Sequence, residues 1–250
     1  MPFDRIQLSQ EILRAAIGDD WPPEQVDAAI ELLASSDGKF PSGVRKLPAD
    51  LIRAVQRERL IVAMLKAASD LGYRQTNVQD VIDRAGVSRP TFYEHFSNKE
   101  DCFLAAFDTS AKRLRAKVDA ATKEGDTWRE QLRLGMEAIL AFASAEPDTA
   151  RTVIVEARAA SAEAVMRRVE LLDHFSVCLD TRARQLLPEA RFSEITASGV
   201  VGGVEALLYS RLCKSEFRNL EDLLPSMMYF AVLPYEGHAA ASEELALAGR

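Results

Sequence analysis

Residues 76–100 read TNVQDVIDRAGVSRPTFYEHFSNKE, a stretch in which signals for helix starts and stops follow one another closely. Asn77 is a favourable N-cap, and the acidic Asp80 three residues later suits the first turn of a helix. Gly86 has the position of a glycine that ends this helix, and Ser88 can cap the next one. The stretch therefore predicts a short helix, a tight turn and a second short helix.

The second short helix needs its neighbours, because about two turns of helix are not stable alone in water. Phe92 and Phe96, four residues apart, give it an apolar edge that can pack against the long helices predicted before and after it. Ser97 and Glu100 have the spacing of a capping box for the long helix that follows. This order of elements is the helix-turn-helix arrangement.

The other face of the second helix is polar. Its non-core positions are Arg89, Pro90, Thr91, Tyr93, Glu94 and His95. A guanidinium, two hydroxyls and an imidazole suit phosphate oxygens, and backbone N–H groups at helix N-termini do so as well. This face indicates a surface that contacts nucleic acid.

The charge distribution agrees with contact at one end of the molecule. The chain has 250 residues, of which 48% are apolar and 28% charged, as in an ordinary globular protein with one large or two modest domains. Residues 45–101 hold ten Lys and Arg against eight Asp and Glu, a charge of +2, while the whole chain carries −7. A mildly basic unit thus precedes a strongly acidic remainder, a pattern that suits binding of DNA by one unit.

Other functional classes find no support in the sequence. Cys102, Cys178 and Cys213 are far apart and odd in number, which is typical of a reducing compartment. The start, MPFDRIQLSQ, lacks the apolar segment of a signal peptide, and the chain has no run of 18 apolar residues for a membrane span. No hydrolase, zinc-protease, phosphate-loop or dinucleotide motif occurs. We expect a cytoplasmic protein that is not an enzyme and has no cofactor, no metal and no membrane contact.

Helical periodicity dominates the chain and strand-like alternation is nearly absent, so we predict an all-α fold. Besides the two short helices, helices are predicted at 5–17, 23–35, 49–72, 98–122, 127–145, 148–160, 162–186, 193–214 and 219–233. Residues 236–250 are expected to form a last short helix or a frayed tail.

The helix-turn-helix segment resembles the DNA-binding domain of the TetR family of bacterial transcriptional regulators. The resemblance covers about a fifth of the chain and rests on AASDLGY at 67–73, TNVQDVIDRAGVS at 76–88 and TFYEHFSNKE at 91–100. It implies three regions: a helical extension and basic linker at 1–48, a helix-turn-helix DNA-binding domain at 49–107, and a helical effector-binding and dimerisation domain at 108–250. About fifty residues precede the domain, more than is common in the family, and residues 1–38 receive no role from the resemblance.

The resemblance also implies roles for individual residues, with the helix from Ser88 to Phe96 in the major groove. Gln79 and Arg89 would face base edges, since Arg pairs well with guanine and Gln with adenine. Pro90 and Thr91 would offer apolar and hydroxyl contacts. Phosphates would be bound by Tyr93, His95 and Lys99. Helix caps are predicted at Asn77 and Ser88. Arg45 and Lys46 either reach the minor groove or backbone from a flexible arm, or belong to a solvated linker.

In the second domain, the resemblance implies a homodimer built by the last two long helices. Gly199, Gly203 and Ala206 lie on one side of the helix at 193–214, where small residues permit close approach either between subunits or within one. His174 and Cys178 are one turn apart on another helix and, like Tyr209, either line a ligand pocket or pack. For a metal, His174 and Cys178 lack a third ligand in the sequence.

The sequence thus predicts a dimeric, ligand-responsive DNA-binding regulator, with a repressor released from a palindromic operator by a small molecule as the main hypothesis. The rival hypotheses are a helical ligand-binding or interaction module without specific DNA recognition, an enzyme housed in the helical body, and an activator instead of a repressor. The identity of the effector and the sequence of the operator do not follow from the residues.

Overall fold

A computed structural model describes residues 22–34, 48–214 and 219–247, and in these ranges the chain is helical without any strand. The chain divides into two compact units, one up to Thr109 and one from Ser110. The prediction of an all-α fold is therefore confirmed. The helix predicted at 5–17 and nearly all of the linker predicted at 36–48 lie outside the described residues.

The first unit contains the helix-turn-helix. Its helices are α1 (Pro23–Ala34), α2 (Ala49–Leu71), α3 (Val78–Ala85), α4 (Arg89–His95) and the beginning of α5 (Lys99–Thr122), a helix in which the division between the units falls. Gly72 follows α2 with a φ of 78°, a backbone conformation that glycine adopts without strain. The predicted end of α2 at this glycine is confirmed.

The core of the first unit forms where α2, α3, α4 and α5 present apolar faces to one another. The largest of its fully buried side chains are Phe92, Phe103, Phe107, Leu51, Leu60, Ile61 and Met64. Phe92 belongs to the two-turn α4 and is 0% exposed, and Phe96 directly after α4 is 3% exposed. Burial of these two rings, each a gain of about 1.5–3 kcal/mol, anchors a helix too short to form alone.

One predicted cap is wrong by a residue. Helix α5 begins at Lys99, so the capping side chain belongs to Asn98 and not to Ser97. The Asn98 side-chain oxygen accepts a hydrogen bond from the Asp101 backbone N–H at 2.9 Å, and the Asp101 carboxylate accepts from the Ser97 N–H at 2.9 Å. Asp101 thus takes the part predicted for Glu100, because an Asx side chain at 98 fits the helix start better than a serine one position earlier.

The second unit, from here on the body, is a set of packed helices. After the end of α5 it contains α6 (Trp128–Ala145), α7 (Pro147–Arg151), a π-helical turn (Thr152–Glu156), α8 (Ala157–Ala160), α9 (Ala162–Leu186), α10 (Thr196–Cys213), a 3₁₀ turn (Leu220–Leu223) and α11 (Leu224–Leu247). The helix predicted at 148–160 is therefore interrupted by a π-helical turn, which apolar periodicity does not reveal.

Helix α11 is longer than the helix predicted at 219–233 and bends at one residue. Gly237 has a φ of 83°, so the helical conformation breaks there, and Pro234 removes a hydrogen-bond donor just before the break. The chain then continues as helix to Leu247. Of the two predictions for 236–250, the described residues bear out the short helix.

A buried ion pair ties two parts of the body together. The guanidinium of Arg113 on α5 donates to both carboxylate oxygens of Glu146, at 2.7 and 2.5 Å, in the junction between α6 and α7. The two side chains are 9% and 3% exposed. Removing one partner of such a pair leaves a buried charge uncompensated, so the pair fixes where α5 and α7 meet.

Candidate functional site

Side chains cap the N-termini of both α3 and α4. The Asn77 side-chain oxygen accepts from the backbone N–H groups of Gln79 and Asp80, at 2.8 and 3.1 Å. The Asp80 carboxylate accepts in return from the Asn77 N–H at 2.8 Å, which completes a capping box. Gly86 ends α3 with a φ of 63°. The predicted short helix and tight turn are confirmed.

Helix α4 begins at its predicted cap. The Ser88 hydroxyl oxygen accepts from the Thr91 backbone N–H at 3.2 Å, and Pro90 lies in the first turn. Since Phe92 faces the core, the other side of α4 is open, with Arg89 and Tyr93 exposed. The Tyr93 side chain is 50% exposed, so its hydroxyl is accessible to a partner. The structure thus brings the predicted contact residues of α4 to one surface.

The two residues predicted to read bases meet in space. The Arg89 guanidinium donates to the Gln79 side-chain oxygen at 2.9 Å, and the Gln79 amide donates to the Asp83 carboxylate at 2.7 Å. Both Gln79 and Arg89 are exposed at the surface. Hydrogen bonds of this kind hold long side chains in position before a ligand arrives, so less conformational entropy is lost on binding.

His95 lies at the end of α4 beside the basic surface of α2. Its Nε2 is 3.5 Å from the Gln56 side-chain oxygen. Burial lowers the pKa of the imidazole below its usual value, and the charges of Arg53 and Arg57 lower it further. His95 therefore favours its neutral form and suits a phosphate as a hydrogen-bond donor more than as a cation.

Arg53 is a contact candidate that sequence reasoning missed. It is exposed on α2 and lies close enough to His95 to influence its pKa. Arg53 and Arg57 are one helical turn apart, so the sequence does indicate a basic side of α2. It does not show that this side of α2 borders α4.

The Lys99 ammonium uses most of its hydrogen-bond donors within the first unit. Its ammonium donates to the backbone carbonyls of Tyr73 and Thr76, at 3.0 and 2.8 Å, and lies 4.2 Å from the centre of the Tyr73 ring. An ammonium has three donors, so one N–H remains for a phosphate. Lys99 thus first fixes the loop before α3, a function that the sequence pattern did not suggest.

Of the remaining predicted DNA contacts, three lie among the residues that the structure describes and two do not. Asn77 and Pro90 are exposed, and Thr91 is half-buried with its hydroxyl 2.8 Å from that of Ser88. Arg45 and Lys46 lie outside the described residues.

The body contains an apolar cavity of about 140 Å³ that is partly open to solvent. Its wall is almost entirely aliphatic and aromatic and comes from α5, α6, the π-helical turn, α9 and α10. Lining side chains include Leu114, Val118, Leu132, Met136, Ile139, Val153, Ile154, Leu171, Phe175, Val200, Val204 and Leu208. Two of these, Val153 and Ile154, belong to the π-helical turn, an element that often occurs at binding sites.

Few polar groups reach the cavity, and they are well defined. Glu205 lines it and is held by Arg168, whose guanidinium is 2.8 Å from one carboxylate oxygen, and by Arg158 on the other. Asp119 and Cys178 also line it. Burial raises the pKa of the Cys178 thiol, and the nearby Asp119 carboxylate raises it further. The cavity suits a ligand with a long apolar part and a polar end.

The predicted ligand residues have different surroundings. Cys178 lines the cavity, with the Nε2 of His174 3.8 Å from its sulfur. Tyr209 lies under the guanidinium of Arg158, 4.0 Å from the ring centre, and is not among the lining residues. Sequence reasoning missed Glu205 and Asp119, which no motif marks.

The three small residues predicted at the dimer interface also differ from one another. Gly199 and Ala206 are exposed, and a Cβ added at Gly199 would meet no described atom within 4 Å. A Cβ added at Gly203 would clash with the ring of Phe230 in the same chain. The close packing at Gly203 is therefore within one subunit, which was the alternative reading of this position.

In the part of the chain that the structure describes, no helix is long and apolar enough to cross a membrane.

Comparison with known proteins supports the helix-turn-helix assignment. Residues 60–106 match the family described as bacterial regulatory proteins, tetR family. The HTH-type transcriptional activator FasR of Mycolicibacterium smegmatis is 33% identical over 104 residues, 42% of this chain and 48% of FasR. Nucleoid occlusion factor SlmA of Vibrio vulnificus is 26% identical over 175 residues, 65% of this chain and 86% of SlmA.

A solved structure shares the fold more widely. The transcriptional regulator FadR of Bacillus subtilis, in complex with stearoyl-CoA, has a TM-score of 0.62 and 21% identity, over 70% of this chain and 96% of FadR. The chain spans about half the length of the first curated relatives it matches, 48% and 47%. The helix-turn-helix segment at 60–106 thus matches the TetR family of bacterial regulatory proteins, and the fold of the chain is similar to that of FadR.

Proposed function

We propose that the protein is a DNA-binding transcriptional regulator that acts in the cytoplasm as a homodimer, and that it represses genes until a small molecule releases it from a palindromic operator. The observation that carries this proposal is the exposed face of α4, where Arg89 and Tyr93 stand out from a helix anchored by Phe92. A recognition helix of this kind enters the major groove, and two copies read half-sites about 34 Å apart.

We propose roles for the individual contact residues, and their geometry supports these roles. Arg89 and Gln79 are the base-reading pair, since their hydrogen bond holds both side chains at the surface. Tyr93, His95 and the remaining donor of Lys99 would bind phosphates, together with the exposed Arg53. Phosphate contacts fix the register of the protein on the duplex, whereas the base contacts select the sequence.

The test is recovery of bound fragments from sheared genomic DNA of the source organism at two salt concentrations. A shared palindrome that persists at the higher salt is expected. The variant with Arg89→Ala and Tyr93→Ala should recover no shared motif. Binding that has no common sequence and disappears with salt would contradict specific recognition and favour the module without an operator.

The homodimer is proposed to form through α10 and α11. Their surfaces carry exposed apolar side chains, Leu207, Phe230 and Leu233, at 37%, 42% and 38% exposure. Apolar groups of this size on neighbouring helices favour burial against a second copy. Leu233→Glu should convert the protein from dimer to monomer in analytical ultracentrifugation, and an unchanged dimer would contradict this interface.

The effector is proposed to be a molecule with a long hydrocarbon part, such as an acyl chain bearing a polar head group. Support comes from the apolar cavity wall and from Glu205, which lines it and is held by Arg158 and Arg168. Two similar proteins agree with this class of effector: FadR, whose structure contains stearoyl-CoA, and the fatty acid metabolism regulator protein of Bacillus subtilis.

This effector class is tested by adding long-chain acyl-CoA to the complex with the recovered operator. The wild-type protein should leave the DNA. Ile139→Trp, which fills the cavity, should bind DNA normally but no longer respond. Val177→Trp is the matched control, because Val177 is 65% exposed on α9 and lies outside the cavity wall. An equal response of all three proteins would contradict the cavity as the effector site.

A further inference from the structure

Three side chains of metal-binding type meet in the body. Asp119 lies on the last turns of α5, and His174 and Cys178 lie one turn apart on α9. One ligand atom from each, a carboxylate oxygen, an imidazole nitrogen and the thiol sulfur, lies within 4.8 Å of the other two. All three residues are half-buried. The sequence shows only the pair on α9, because Asp119 comes from a different helix far earlier in the chain.

The spacing of these atoms fits a small metal ion. The His174 Nε2 and the Cys178 sulfur are 3.8 Å apart. In a tetrahedral zinc site, with Zn–S near 2.3 Å and Zn–N near 2.0 Å, the nitrogen and sulfur are about 3.6 Å apart. The two ligands on α9 therefore stand close to their bound separation, and the third needs only a side-chain adjustment.

The charges at this place also favour a cation. Among the described residues the Asp119 carboxylate makes no ion pair, although it is half-buried at the cavity wall. Arg182, one turn beyond Cys178, lines the same cavity and is the neighbouring positive charge. An ion bound between Asp119 and Cys178 would compensate the carboxylate directly.

We propose that Asp119, His174 and Cys178 form a site for a divalent transition metal of the zinc class, with its fourth coordination position towards the apolar cavity. A ligand set with one sulfur, one nitrogen and one oxygen suits Zn²⁺ and disfavours Mg²⁺ and Ca²⁺, which prefer oxygen ligands. On binding, the Cys178 thiol releases its proton to solvent and coordinates as thiolate. Since Asp119 and Cys178 both line the cavity, the open position faces the space in which a ligand would lie.

The experiment is a titration of the metal-free, full-length protein with Co²⁺, followed by absorption spectroscopy. Co²⁺ replaces Zn²⁺ in such sites, and a thiolate ligand gives it a charge-transfer band. We expect one Co²⁺ per chain, a charge-transfer band, and displacement of the Co²⁺ by Zn²⁺. Cys178→Ser should lose the band. Asp119→Asn and His174→Gln should weaken binding roughly 100-fold or more, since the loss of even an outer-shell partner costs about 10- to 100-fold.

Two further variants, Cys213→Ser and Arg182→Gln, test whether the bound ion lies at this cluster. Cys213→Ser should keep the band, because Cys213 is an exposed thiol outside the cluster. Cys102 is fully buried against the Leu60 carbonyl and is not available to an ion. Arg182→Gln should bind Co²⁺ more tightly, because it removes a nearby positive charge.

Either of two outcomes would overturn the proposal: wild-type protein that gives no charge-transfer band, or a band that survives in Cys178→Ser. Circular dichroism of each variant separates loss of the site from loss of the fold. The measurement contains no DNA and no effector, so its result is independent of the proposed regulatory function.

Discussion

The helix-turn-helix is held by caps at the starts of α3 and α4, such as the hydrogen bond of Asn77 with Asp80, which join residues three positions apart. The body is held by pairs such as Arg113 with Glu146 and Arg158 with Glu205, which join residues 33 and 47 positions apart. The proposed DNA-binding surface thus depends to a large part on caps between residues that are close in the sequence. The cavity exists only when distant segments pack correctly, so its shape can change between proteins that keep the same recognition helix.

The largest expected effect comes from breaking a long-range contact of the body. Glu146→Ala should lower the free energy of unfolding by about 3–5 kcal/mol, because it removes the carboxylate that pairs with the buried guanidinium of Arg113. Urea denaturation measures the change. Glu243→Ala is the control, since Glu243 pairs with Arg129 at the surface and is 66% exposed. Such exposed pairs contribute at most about 1 kcal/mol, and equal losses for both variants would remove the distinction between buried and exposed pairs.

The next effect concerns DNA affinity and should leave stability unchanged. Arg89→Lys keeps the charge but loses the planar fork that contacts guanine, so operator affinity should fall by about 1–3 kcal/mol, roughly 5- to 150-fold. Fluorescence anisotropy at fixed salt measures it, and affinity for unrelated DNA should stay the same. Arg191→Lys, at an exposed position of the body, is the control. A loss of equal size on unrelated DNA would assign Arg89 to a phosphate contact.

A smaller effect is expected at the local cap of α3. Asn77→Ala removes the acceptor for the Gln79 and Asp80 N–H groups and should cost about 1 kcal/mol of stability, within a range of about 0.5–2. Thermal unfolding followed by circular dichroism measures this. Asn77→Ser, which retains a capping oxygen, should recover most of the loss. If Asn77→Ser does not recover the stability, Asn77 stabilises α3 through something other than its cap.

The smallest effect is a pH dependence of the first unit. Burial and the nearby Arg53 lower the pKa of His95 in the folded state, so the unfolded state binds the proton more readily. Stability should therefore be fully present above about pH 6.5, the usual value for histidine, and decline as the pH falls through that value towards the folded-state pKa. Urea unfolding at several pH values measures it. His95→Gln should remove this part of the slope, while His238→Gln, exposed in the body, should not.

These regions also differ in how far the sequence predicts them. The caps at Asn77 and Ser88, the glycine at 86 and the burial of Phe92 and Phe96 follow from short-range rules, and the structure confirms them. The error at Ser97 is of one residue, because two neighbouring polar side chains could both cap and only packing decides between them.

The body resists prediction for a different reason. Helix positions follow from apolar periodicity, but this periodicity does not reveal the π-helical turn at 152–156 or the bend at Gly237. Asp119 and Glu205 approach the cavity only through the arrangement of α5, α9 and α10, and no spacing in the sequence reveals this. The roles of the individual DNA contacts stay predictions until an operator is bound.

The packing of Gly203 against Phe230 has an evolutionary consequence. Since a Cβ at 203 would occupy the space of that ring, neither position can change size alone without disturbing the contact between α10 and α11. Among close relatives, an alanine or larger residue at 203 should accompany a smaller side chain at 230. Covariation of these two positions would show that they are inherited as a pair, while the open surface at Gly199 is free to diverge.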